Sequence, residues 1–297
     1  MSWIQAILEV NSEKTSEIEE LLLAIGAQAV TMRDAAEQPI YEPALGTTPL
    51  WDKVNLIALF DAEQPLSEQM AQLAQLYQNE YQQDFPSYKL ELVEDKDWVR
   101  EWMDTFKPMK FGERLWICPS WLEPEDSKAV NLKLDPGLAF GTGTHATTAL
   151  CLRWLDQFEL TDKRVVDFGC GSGILGIAAL LLGAKHMVGI DIDPQAILAS
   201  NENAEHNNIN KDDIELYLPE NAPDTQVEVV LANILAGPLV ELKDPILSYL
   251  LPKGHLALSG ILASQAQEVV DAYESECDIL GVDEEDGWVR ITAQKKA

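Results

Sequence analysis

Val165-Val166-Asp167-Phe168-Gly169-Cys170-Gly171-Ser172-Gly173 is the stretch on which the fold turns. An apolar strand runs into three glycines at alternate positions and leaves as the helix-forming segment 174–182. Glycine is required where the backbone takes positive φ or lies against a ligand. The next strand, 186–190, is followed by Asp191, twenty residues beyond Gly171. In a doubly wound sheet an acid at that distance reaches the hydroxyls of an adenosine ribose.

Downstream the alternation continues, with a helix over 194–206 and strands over 214–218 and 227–232. A helix over 238–250, a strand over 256–259 and a helix over 263–273 follow. Upstream lie strands over 115–118 and 130–134 and a helix through 150–155. This order predicts an α/β fold with a mostly parallel, doubly wound, Rossmann-like sheet. The last two strands, near 279–282 and 288–293, have no helix between them and must pair as an antiparallel hairpin.

The first ninety-five residues have a different grammar. Strands at 3–10, 29–33, 54–60 and 88–93 alternate with helices after Ser16 and over 66–77. The βαββαβ order predicts a small α+β, ferredoxin-like unit. Ser16 and Glu19 have capping-box spacing, and Gly26 is placed to end the first helix. A linker helix is expected at 97–106, where Trp98, Trp102 and Phe106 share one face. The expected domains are therefore 1–95 for recognition, 96–112 as linker and 113–297 for chemistry.

Charge narrows the partners. The net value is −29, with −13 in residues 1–95 and −16 in the rest. Such a field repels phosphate backbones and attracts basic proteins, so no direct nucleic-acid binding is expected. The start of the chain lacks a basic stretch followed by an apolar run, and no apolar run is long enough to span a bilayer. A cytoplasmic monomer without membrane contact is expected. Four cysteines and four histidines are scattered singly, which predicts reduced thiols and no metal site.

Two readings compete for the glycine turn. Gly171-Ser172-Gly173-Ile174-Leu175-Gly176 matches the dinucleotide pattern G-x-G-x-x-G. Against it, Asp167 would place an acid beside a pyrophosphate, whereas it suits a cationic amino-acid group such as the ammonium of S-adenosylmethionine. A second glycine loop, Phe140-Gly141-Thr142-Gly143-Thr144-His145, lacks the lysine of a nucleotide P-loop and is expected to close over a cofactor, or to serve only as a threonine-capped helix start. Asn233 stands at the carboxyl end of a central strand, where ligands bind. Its carbonyl is suited to accept a hydrogen bond from an attacking amine. A nucleic-acid amino-methyltransferase, a small-molecule methyltransferase and a non-catalytic adenosine-binding module share parts of this pattern.

Several strings resemble one family. They are Glu94-Asp95-Lys96-Asp97-Trp98, Phe111-Gly112-Glu113-Arg114-Leu115-Trp116-Ile117-Cys118-Pro119, the loop from Leu134 to His145, Asn233-Ile234-Leu235-Ala236-Gly237-Pro238 and Leu258-Ser259-Gly260-Ile261-Leu262. Together with the glycine turn they look like the bacterial ribosomal protein L-eleven methyltransferases, the PrmA family, over nearly the whole chain. The resemblance implies a class I methyltransferase sheet, S-adenosyl-L-methionine as cofactor, and methylation of lysine side chains and the N-terminal α-amine of a basic ribosomal protein. It implies cofactor contacts at Thr148, Gly169, Asp191 and Asn233, to which the residue reading adds Asp167, Gly171, Phe140, Gly141 and Thr142. Asn233 is the expected catalytic residue. Ala146 departs from the family pattern, which has proline there.

Overall fold

The computed structural model describes residues 3–36, 38, 40, 47–93, 106–135, 143 and 145–297. The chain divides into two compact units, Met1–Met103 and Asp104–Ala297.

The first unit contains β1 (Trp3–Asn11), α1 (Thr15–Ala24), β2 (Ala29–Asp34), β3 (Lys53–Asp61), α2 (Leu66–Tyr81) and β4 (Tyr88–Val93). Its sheet has the order β2-β3-β1-β4, and all pairs are antiparallel. Side chains alternate across a strand, so one face of β1 carries Ala6, Leu8 and Val10 opposite Ala58, Leu56 and Val54 of β3. These pack with Ile18 and Leu22 of α1 and with Leu66, Met70 and Tyr77 of α2 in one buried core. Gly26 ends α1 as expected: its φ is +103°, and Ala27 N–H donates to Leu22 C=O at 3.1 Å. The Ser16–Glu19 capping box does not form. A short 3-10 turn, Ser12–Lys14, leads into α1, so Lys14 at the cap is already helical and no side chain caps it. A side-chain cap needs an extended residue at that point. Residues 97–105 of the expected linker helix lie outside the described residues.

The second unit holds two sheets. β5 (Met109–Phe111), β6 (Leu115–Cys118) and β7 (Val130–Lys133) form a small one, in that order. The sequence pattern placed β6 and β7 in the main sheet and gave no sign of β5. Three residues between Pro108 and Gly112 are too few to show alternation.

The main sheet follows α3 (Ala146–Gln157). It is built from β8 (Arg164–Phe168), α4 (Ile174–Leu181), β9 (His186–Ile190), α5 (Pro194–His206), β10 (Ile214–Tyr217) and β11 (Val227–Asn233). After these come α6 (Ala236–Glu241), α7 (Lys243–Ser248), β12 (Leu250–Leu262), α8 (Ala266–Tyr273), β13 (Cys277–Glu285) and β14 (Trp288–Lys295). Strand order is β10-β9-β8-β11-β12-β14-β13. The first five are parallel, and β14 is antiparallel to both neighbours, as the terminal hairpin requires. Both faces are covered. Val165, Val229 and Leu231 belong to one core, and Val166, Val230 and Ala232 to the other. Burial on both sides explains why these strands read as unbroken apolar runs. The single helix expected over 238–250 is two short ones. Pro245 supplies no N–H, and its ring would crowd the carbonyl four residues back, so the helix breaks at Leu242.

Strand order reverses between β8 and β11, the switch point at which open α/β sheets bind ligands beyond their carboxyl ends.

Candidate active site

At that switch point the glycine turn leaves β8. Gly169, Gly171 and Gly173 have φ of +74°, +55° and +75°, a region that costs an L-residue about 1–2 kcal/mol. A Cβ on Gly169 would lie 2.3 Å from the Ile234 side chain, so the close approach of the residue after Asn233 also requires glycine here.

Asp191 follows β9. One carboxylate oxygen accepts the Gly171 N–H at 2.8 Å and the other accepts the Asp193 N–H at 2.9 Å. The acid therefore holds the turn itself, and each oxygen keeps a second lone pair for a ribose hydroxyl. Asp193 caps α5 by accepting the Gln195 N–H at 2.9 Å, with Pro194 at the first helical position.

Asp167, in β8, is 1% exposed and accepts the Gly176 N–H at 2.8 Å. Burial pushes its carboxyl up to about 7; the Gly176 bond opposes this and the nearby Asp191 charge adds to it. Gly176, third glycine of the dinucleotide-like match, sits inside α4, where a Cβ would collide with Met187. That glycine answers to helix–strand packing and to Asp167.

Asn233 ends β11. Its Nδ2 donates to Thr148 Oγ1 of α3 at 3.2 Å, and its Oδ1 is buried without a hydrogen-bond partner among the described residues. Thr148, Asp167, Gly169, Cys170, Gly171, Ile174, Leu175 and Asn233 line one cleft. The structure thus brings together six of the expected site residues, Thr148, Asp167, Gly169, Gly171, Asp191 and Asn233. Phe140, Gly141 and Thr142 lie outside the described residues. The threonine-capped alternative for this loop is corrected. His145 caps α3, its ring accepting the Thr147 N–H, and Ala146 is the first helical residue, a place where proline is well tolerated.

Sequence reasoning missed the polar side chains that support the turn. Ser200 Oγ donates to Gly171 C=O at 2.9 Å and Asn203 Nδ2 to Ser172 C=O at 2.8 Å. The available signal was their spacing of three with Ala204 next to them, which puts polar groups on the buried face of α5. Ser259 of β12 was also missed. Its hydroxyl lies 3.1 Å from Thr147 C=O and 3.3 Å from Val289 C=O.

The four cysteines are buried and unpaired. Among the described residues no group of three or more His, Cys, Asp or Glu is placed to hold a metal ion, and no helix is long and apolar enough to cross a membrane.

The description of the ribosomal protein L11 methyltransferase (PrmA) family matches residues 2–296. The chain belongs to this family. It is 55% identical over 295 residues to a ribosomal protein L11 methyltransferase of Histophilus somni (strain 129Pt), covering 99% of this chain and 98% of that protein. Identity to the one from Pseudoalteromonas atlantica is 53% over the full length of both. A crystal structure of ribosomal protein L11 methylase from Lactobacillus delbrueckii subsp. bulgaricus superposes with a TM-score of 0.59 at 32% identity, covering 65% of this chain and all of that one.

The family makes the chain a methyltransferase that uses S-adenosylmethionine. The cleft fits that cofactor on its own evidence. It has a buried amide oxygen without a hydrogen-bond partner among the described residues, a turn with glycine at three alternate positions, and the Asp167 carboxyl in its lining, with Asp191 bonded to the turn.

Proposed function

We propose that the chain methylates ribosomal protein L11 at amines, both lysine side chains and the N-terminal α-amine. The observation that carries this reading is the buried Asn233 oxygen, without a partner among the described residues, on a residue that lines the cleft of a chain matching the family over residues 2–296.

When bound, S-adenosylmethionine supplies a methyl group already activated on a sulfonium. The chain's own residues mainly bind and orient. Asp191 would hold the ribose hydroxyls, Asp167 would receive the amino-acid ammonium, and Gly169 and Gly171 would let the cofactor lie against backbone. The acceptor must be a neutral amine. With a reference pKa near 10.4, only about one lysine in a few thousand is neutral at pH 7, against roughly 14% for an α-amine near 7.8. Removal of the amine from water lowers its pKa and raises that fraction. Asn233 Oδ1 accepts one amine N–H and directs the lone pair; water takes the departing proton.

The first unit, with its net −13, docks the basic substrate. The enzyme works as a cytoplasmic monomer and makes no direct nucleic-acid contact in this reading. Incubation with labelled cofactor and purified L11 is the test. Methyl incorporation into lysine and the N-terminus is expected, falling by about 100-fold in Asn233→Ala at saturating substrates, in the range of a lost transition-state hydrogen-bonding group. Turnover unchanged in Asn233→Ala would remove that residue's role.

A further inference from the structure

We infer that Ile234 is a positioning residue for methyl transfer: wedged between two glycines of the neighbouring strands, it sets Asn233 in place against the cofactor turn. This rests on the reading of Asn233 given above.

Asn233 stands where the sheet stops holding it. On one side of β11 the pairing with β8 ends a residue earlier, at Ala232 and Phe168. On the other side it ends at Asn233 itself, opposite Ser259 of β12. Among the described residues its side chain makes one hydrogen bond, from Nδ2 to Thr148 Oγ1 at 3.2 Å, and Oδ1 makes none. The place of the amide therefore depends on how the next residue is seated.

Ile234 takes over from the missing ladder on both sides. Towards β8 its Cγ2 methyl lies against Gly169, where an added Cβ would come within 2.3 Å of that methyl. Towards β12 its backbone lies against Gly260, where an added Cβ would come within 2.1 Å of the Ile234 carbonyl oxygen and 2.6 Å of the carbonyl carbon. The φ angles of these glycines are +74° and +87°. Gly260 also sits in an irregularity of the β12–β14 pairing. Leu258 pairs with Ile291 and Ile261 with Val289, so β12 carries one residue more than β14 over that stretch. Such a bulge bends its strand and re-aims what lies beside it. Here it brings bare backbone up to Ile234. The strings Asn233–Pro238 and Leu258–Leu262 thus meet at one contact, and Gly169 of the cofactor turn closes it from the other side. A β-branched side chain is stiff about χ1, so its methyl transmits position from the turn to the amide. Methyl transfer is sensitive to that placement, since a shift of about 1 Å is enough to cost roughly 100-fold.

Steady-state kinetics of the full-length enzyme, with labelled S-adenosylmethionine and purified L11 both saturating, test this. Valine keeps the methyl on Cβ that meets Gly169; leucine keeps the volume but moves the branch away from Cβ. I234V is expected to hold kcat within about twofold, and I234L to lower it by roughly tenfold, within the cost of a misplaced group. A side chain that only fills space gives the opposite order, because volume-conserving exchanges are tolerated best. I234A, which lacks the methyl altogether, serves with the same expected loss if the leucine variant fails to fold. The deciding measurement repeats I234L in an Asn233→Ala background. With no amide left to place, the added loss should shrink to about twofold or less, a non-additive cycle. The proposal is overturned if I234V loses as much as I234L, if neither variant changes kcat, or if the I234L loss is the same in both backgrounds. Failure of the underlying reading shows separately, as full turnover in Asn233→Ala.

Discussion

The two units bury different kinds of side chain. In the first, Thr15 is the one buried polar residue among those described, and its hydroxyl bonds back to Asn11 C=O. The second buries Thr147, Thr148, Asp167, Ser172, Ser200, Asn203 and Ser259 around the carboxyl ends of β8, β11 and β12. Buried polar groups are costly unless bonded, so their concentration at one place marks where the fold is organised around something other than its own packing. The contrast is not total, since Arg290 and Thr292 of β14 are buried as well. Asp156 is also buried, but it accepts the Glu113 and Arg114 N–H groups at 2.7 and 3.0 Å, and Gly112 leaves no room beside it. That cluster anchors β5 and β6 to α3 and belongs to structure. What separates it from the cleft is completeness: Asp156 is satisfied, whereas the Asn233 oxygen has no partner among the described residues.

If the first unit serves recognition and the second chemistry, four perturbations should part them. Removal of residues 1–103 should lower kcat/KM for the ribosomal protein by about 100-fold or more, the scale on which a tethered docking module raises effective concentration. Cofactor binding by the remaining unit, measured by calorimetry, should persist; loss of both would merge the two roles. Phe60→Ala comes next. It empties a fully buried site in the first core, which costs about 3–5 kcal/mol in urea unfolding, with cofactor affinity unchanged.

Gly169→Ala should do the reverse. Positive φ and the clash with Ile234 together cost about 2–4 kcal/mol, and cofactor affinity drops with them. Gly237→Ala is the control, since nothing lies within 4 Å of its added carbon; retention of affinity in the first variant would discount the turn.

The last effect is a slope of stability against pH. Burial raises the folded-state pKa of Asp167 from 3.8 to about 7. Between these values the folded chain binds more protons than the unfolded one, so this contribution to stability is present below the lower value and lost as pH rises to the upper. Asp167→Asn should flatten that part of the stability profile between pH 4 and 7, as read by thermal melts without cofactor. A parallel profile for wild type and variant would show that Asp167 does not titrate there. Pairing of the carboxylate with a donor ammonium also predicts cofactor affinity that rises with pH through the same window in wild type alone.

From β8 to α5 the segments were legible almost to the residue. Each boundary there is written in adjacent chemistry: a glycine turn, then Asp193-Pro194 as a helix start. The α6–α7 break was also local, but Pro245 stands within an apolar helical pattern that hid it. The site was legible in part. Asp167, Gly171 and Asp191 lie within one supersecondary unit, so spacing alone joined them. The bond between Thr148 and Asn233 spans 85 residues, and Ser200 and Asn203 matter only because α5 lies against the turn.

By itself, then, the sequence determined the parallel sheet, the glycine turn with its paired acid, and the family, because periodicity, turn chemistry and motif strings are properties of neighbouring residues. Only the tertiary structure decided that β5, β6 and β7 stand apart, that Asp191 is bonded into the turn it was expected to accompany, and that the Asn233 oxygen is buried without a partner among the described residues. Those features depend on which distant groups satisfy one another's hydrogen bonds, and that is settled when the elements pack.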